Sequence, residues 1–103
     1  MPNGVDKNWV RICAAIDGFR VRYNAWPSHI LLPSDCIREI QSMFSPELFQ
    51  KLSSKIDLVV DEKASIIAKG DNNRLYNYGQ EGFCKQRPDI PAQKWLEVKP
   101  DIY

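Results

Sequence analysis

The chain has 103 residues, 44% hydrophobic and 26% charged, the size and balance of one ordinary soluble domain, which argues against a disordered, fibrous or repeat protein. Folding a chain of this length hides about 65% of its extended surface, so one core suffices without disulfide or metal staples. Its formal charge of +1, from fourteen basic and thirteen acidic residues, gives none of the basic excess with which proteins grip phosphate backbones through counterion release.

Trp9, Ile12, Ile16, Phe19, Tyr23 and Trp26 recur at spacings of three and four, which predicts a helix from about Asp6 to Tyr23 with these side chains on one stripe. Gly18 weakens it by about 1 kcal/mol relative to alanine. FRVRY also alternates as a strand would, with Arg20 and Arg22 opposite Phe19, Val21 and Tyr23, but the longer periodicity favours the helix. Asn24 tolerates the left-handed conformation that ends helices and Pro27 cannot continue one. The following HILL run predicts a short buried strand.

Pro33 and Ser34 then open a helix whose buried face holds Ile37, Ile40 and Phe44, with the Ser34 hydroxyl expected to cap it. A second helix begins at Ser45-Pro46-Glu47, where serine caps, proline takes the first helical position and glutamate complements the positive helix end. From Ile56, the runs IDLVVD, SIIAKG and RLYNYG are separated by the turn-forming DEKA and GDNN, which predicts an antiparallel meander. GQEGFCKQRPDIP should be irregular, and a short helix around Ala92 to Leu96 should dock Trp95. No repeat or low-complexity segment marks a second unit, so residues 1–103 read as a single α+β domain. The expected order is α-β-α-α-β-β-β, a small four-stranded, mostly antiparallel sheet with the N-terminal helix and the helix pair packed on one face.

Alternation places Ile56, Leu58, Val60, Ile66, Ala68, Tyr76 and Tyr78 on the inner face of that sheet. The outer face then carries Asp57, Lys69 and Asn77 but also the aliphatic Val59, Ile67 and Leu75. Either the C-terminal segment with Trp95 and Leu96 folds over them, or they form a contact surface for a protein partner or a second copy.

Reactive groupings are sparse. Cys13, Cys36 and Cys84 are odd in number and widely spaced, and His29 is the single histidine. No paired Cys or His announces zinc, no glycine-rich strand-to-helix turn announces a nucleotide, and no cofactor is implied. A thiol mechanism would need Cys84 and His29 to meet, with carboxylates such as Asp57 and Glu81 as further acid and base groups. Without a secretory or membrane-spanning pattern and with unpaired cysteines, a reduced, cytoplasmic, non-membrane protein is expected.

Lys69, Arg74, Tyr76 and Tyr78 lie on adjoining runs, with Arg20 and Arg22 as further cations. Aromatics for stacking beside cations for phosphate is one way single-stranded RNA is held. A strand, two helices and a three-stranded meander also resembles, in layout alone, the small ribonuclease toxins of bacterial toxin and antitoxin pairs. That resemblance would imply RNA cleavage by basic and aromatic residues on the sheet, but no string here matches theirs and no catalytic residue is carried across. Inner-face burial of Tyr76 and Tyr78 and the balanced charge instead favour a small non-enzymatic interaction or regulatory module. Its candidate contact residues are Trp26, His29, Val59, Ile67, Lys69, Arg74, Leu75, Tyr76 and Tyr78. WPSH and YNYG are the most distinctive strings, and a pocket formed between them would suit a small molecule or peptide.

Overall fold

The computed structural model describes residues 7–98. Along the chain it runs α1 (Lys7–Tyr23), β1 (His29–Leu32), α2 (Ser34–Met43), α3 (Pro46–Lys55), β2 (Asp57–Val60), β3 (Ile67–Lys69), β4 (Leu75–Asn77), α4 (Tyr78–Glu81) and α5 (Ala92–Leu96). FRVRY is helical: Phe19 continues the buried stripe of Trp9, Ile12 and Ile16. Asn24, at φ 52°, ends α1 as its tolerance for the left-handed region allows. Ser45 caps α3 by accepting from the Leu48 amide at 3.3 Å, with Pro46 behind it. Ser34 does not cap α2. Pro33 holds the cap position, and both the Ser34 amide and hydroxyl donate to Glu62, at 2.9 and 2.8 Å.

The four strands form one mixed sheet in the order β2-β1-β3-β4. β1 pairs parallel with β2 and antiparallel with β3, and β3 pairs antiparallel with β4. The expected meander is thus corrected, because β1 lies between its first two strands. Two physical facts account for this. Ile30 and Leu32 are fully buried, as suits a central strand, whereas β2 is flanked by Asp57 and Asp61, charges that suit an edge. The connection from Val60 to Ile67 must also span two strand spacings of about 4.8 Å each rather than close a tight hairpin. It ends at Ile66, a β-branched residue at φ 67° whose burial offsets the cost of that conformation. GDNN does turn the chain from β3 into β4, with Asn72 and Asn73 at φ 60° and 62°.

The core lies on one side of this sheet. Ile30, Leu32, Ala68 and Tyr76 from the strands meet Trp9, Ile12, Ile16 and Phe19 of α1, Ile40 and Met43 of α2, Leu52 of α3 and Leu96 of α5. Trp9 meets Phe44 edge-on, with ring centroids 5.1 Å apart. Val60, expected on the inner face, is 56% exposed, at the end of an edge strand. Tyr78, expected there too, has left the sheet: it opens α4, half-buried, with its ring edge-on to Phe83.

The C-terminal segment does not cover the outer face. Leu96 enters the core and Trp95 stacks on Trp26 at 4.3 Å with parallel rings. The Arg20 guanidinium lies 4.7 Å over Trp26 and the Lys55 ammonium 5.6 Å from the Trp95 ring centroid, so the indole pair is sandwiched between cations. Arg20 also binds Asp89 through two hydrogen bonds, at 3.0 and 2.9 Å, and the Asp17 carboxylate accepts from the Ala92 amide at 2.8 Å, at the start of α5. These contacts hold the segment against α1.

Candidate functional site

With period-two alternation and the observed registers, the outer face resolves into two rows of side chains. Asp57, His29, Lys69 and Leu75 form one row, and Val59, Leu31, Ile67 and Asn77 the other. Val59 is 37% and Leu75 42% exposed, while Leu31 and Ile67 on the central strands are half-buried by their neighbours. An aliphatic band therefore crosses three strands, bordered by a row that carries a carboxylate, an imidazole and an ammonium. Val59 and Leu31 also border a shallow cavity of about 350 Å³ shared with Ser28, His29, Lys69 and Gly70. The core helices all lie on the opposite side of the sheet.

His29 sits between two oxygens. The Ser28 hydroxyl is 2.7 Å from Nδ1 and an Asp57 carboxylate oxygen 3.5 Å from Nε2. Serine, histidine and aspartate in line invite comparison with a nucleophilic relay, which requires donors for a developing oxyanion. The amides nearest Ser28 are already committed: Ser28 donates to Lys69 O at 2.9 Å, Asp57 to Ser28 O at 3.0 Å and Gly70 to Arg74 O at 3.0 Å. With His29 43% and Asp57 68% exposed, water also screens the ion pair. The arrangement is a polar border of hydroxyl, imidazole and carboxylate.

Of the candidate residues, Val59, Ile67, Leu75, Lys69 and His29 share the outer face. Arg74 lies just before β4 with its guanidinium 5.6 Å from the Tyr23 ring centroid. Tyr76 is buried beneath α1 and its hydroxyl donates to Gly82 O at 2.7 Å, so its ring is not offered for stacking; burial raises its pKa. Trp26 faces Trp95, away from His29's outer row. The cavity on the α1 side of Tyr78 is lined by Asn8, Arg11, Cys36 and Ser65 and contains neither Trp26 nor His29, so WPSH and YNYG do not combine into one pocket.

Cys13 is buried and its thiol is pushed strongly up by desolvation; burial also raises that of Cys36. His29's polar neighbours are Ser28 and Asp57, whereas Cys84 is half-buried against the core. Glu81 is bound by Arg22, which lowers its pKa. Reasoning on the sequence overlooked Leu31, because a wholly apolar run such as HILL does not reveal which face each residue takes. The matching parity of His29 and Leu31 was the available signal. Among the described residues no helix is long and apolar enough to cross a membrane. Comparison with protein-family models, curated proteins and solved structures finds no match, so function has to be drawn from this geometry.

Proposed function

We propose that this chain is a small non-enzymatic interaction module that docks another protein on the outer face of its sheet, through Val59, Leu31, Ile67 and Leu75. The supporting observation is the aliphatic band itself. Its side chains lie in register on adjacent strands, and the tail that could have covered them is held elsewhere by the Trp26–Trp95 stack. Fully burying one exposed Val, Leu or Ile side chain is worth about 1.5–3 kcal/mol. The area this band still exposes is on the order of one such side chain, so a partner covering it gains about that amount before association costs. Asp57, His29 and Lys69 supply the polar rim that would orient it. Cys13, Cys36 and Cys84 are free thiols, which suits a reducing cytoplasm.

The test is affinity capture from the native cell, with nuclease treatment, of the wild type and of Val59→Lys, Ile67→Lys and Val10→Lys. Val10 is an exposed residue of α1 and serves as the control. A stoichiometric protein partner that survives nuclease, is lost with either face variant and is kept by Val10→Lys supports the reading. Capture unaffected by both face variants overturns it. Recovery that depends on nucleic acid would instead favour single-stranded RNA on Lys69 and Arg74, with a steep salt dependence.

A further inference from the structure

We infer that β2 is a strand-addition site: its free edge takes an extended peptide of another protein carrying two alternating aliphatic residues flanked by Lys or Arg. This rests on the protein-docking reading above and specifies the form of the partner.

The sheet has two edges, and the molecule treats them differently. On β4, Tyr78 and Arg74 turn their main-chain groups toward β3, the Tyr78 amide donating to Ile66 O and Arg74 O accepting from the Gly70 amide, both at 3.0 Å. Leu75 and Asn77 therefore face outward, and side chains occupy them. The Tyr23 hydroxyl donates to Leu75 O at 2.9 Å and accepts from the Leu75 amide at 3.3 Å. Arg22 donates to the same carbonyl and the Asn77 amide donates to Glu81, both at 3.4 Å. That edge is closed to another strand.

On β2 the Asp57 amide donates to Ser28 O at 3.0 Å and the Asp61 amide to Leu32 O at 2.9 Å. By alternation the N–H and C=O groups of Leu58 and Val60 point away from β1. Among the described residues no hydrogen bond takes them up, and Val60 is 56% exposed. Around this edge runs a groove of about 530 Å³, with Ile37, Gln41, Phe49, Ser53, Leu58 and Val60 on the helix side and His29, Asp57 and Val59 on the outer face. An added strand would complete the main-chain ladder, and its residues opposite Leu58 and Val60 would point into this groove. That combination of main-chain pairing and alternate side-chain pockets is how peptides are read at sheet edges.

Charge selects the occupant. Asp57 and Asp61 bracket the outward pair. If two copies paired antiparallel with Leu58 opposite Val60, Asp57 of each would face Asp61 of the other, placing like charges opposite at both ends. A second copy is disfavoured in that register, whereas a segment with basic residues opposite Asp57 and Asp61 is complemented at both ends.

The probe is the peptide Thr-Lys-Val-Thr-Val-Lys-Thr, capped at both ends and palindromic, so that it fits in either direction, titrated into the full chain and followed by amide NMR shifts. Saturable shifts at Leu58 and Val60, with affinity falling about fivefold or more when both Lys are replaced by Glu, are expected. Val60→Pro removes an outward amide, which an edge strand tolerates, along with part of one groove-lining side chain, and should weaken binding about tenfold while the spectrum stays folded. Asp57→Lys leaves one cation and one carboxylate bracketing the pair, so it should abolish the preference between the Lys and Glu peptides. Shifts confined to Ile67 and Leu75, no saturable shift, or indifference to Val60→Pro would each overturn the inference. A native partner still captured by Val60→Pro but lost with Ile67→Lys would refute strand addition while leaving the docking reading intact.

Discussion

Gly18 occupies the middle of α1, where glycine costs about 1 kcal/mol relative to alanine, and the ring of Tyr76 fills the space a Cβ would take. Read from the sequence it is only a weakness in a helix, because Tyr76 comes from a strand far along the chain. Gly18→Ala should therefore destabilise despite its better propensity. Overpacking of a filled core costs about 1–3 kcal/mol, so a net loss of about 1 kcal/mol is expected in urea denaturation. A gain in stability would show that the ring moves aside freely. The two serines at helix starts make a second contrast at this scale. Ser45→Ala removes a true cap and should cost about 1 kcal/mol. Ser34→Ala removes a hydroxyl that donates to an exposed carboxylate and should cost less than half of that. Both can be measured in the same denaturant series.

At the level of elements, periodicity and turn residues made α1 to α3, the four strands and α5 over Ala92–Leu96 legible, but not α4, whose Tyr78 was expected on a strand. Partner choice was not legible. IDLVVD, SIIAKG and RLYNYG carry strand alternation and turn residues, but the same alternation serves a neighbour or a strand once removed. What placed β1 between β2 and β3 was the total burial of Ile30 and Leu32 against the charges bracketing β2, a comparison between distant segments. The docking of α5 was half legible. Trp95 was expected to bury itself, and it does so against Trp26 rather than against Val59 and Ile67. A stacked pair of this kind is worth about 0.5–1.5 kcal/mol beyond its buried area. The Trp26→Ala and Trp95→Ala double-mutant cycle should give a coupling of about 1 kcal/mol. Either single variant should abolish the far-ultraviolet exciton couplet expected of the two stacked indoles. Additive variants with an unchanged couplet would refute the stack as the fastening of the tail.

Across the whole molecule, burial and charge are divided by the sheet. Its inner side holds the core and its outer side the aliphatic band. Val59, Ile67 and Leu75 were legible there from parity alone, whereas the grouping of Ser28, His29 and Asp57 required the parallel pairing of β1 with β2. The remaining acidic contacts fasten surface segments, and they set the pH response. Asp89 is held down to about 2 by the hydrogen bonds and charge of Arg20. Glu81 is lowered by Arg22, and Glu62 by the Ser34 amide and hydroxyl. A carboxylate whose pKa falls on folding contributes stability that is present above its unfolded value near 4 and is lost as pH drops toward the folded value. Asp17 has the opposite sign. Desolvation raises its pKa, so its contribution is complete below the unfolded value and disappears as pH rises through the folded one. Three lowered carboxylates against one raised should make the melting temperature fall between about pH 5 and pH 2. Asp89→Asn should flatten the lower end of that curve. Asp17→Asn removes the opposing contribution, so it should raise the neutral melting temperature relative to wild type and steepen the acid decline. Calorimetry across this range checks both directions, and an Asp17→Asn curve parallel to wild type would show that its carboxylate does not change its proton affinity on folding.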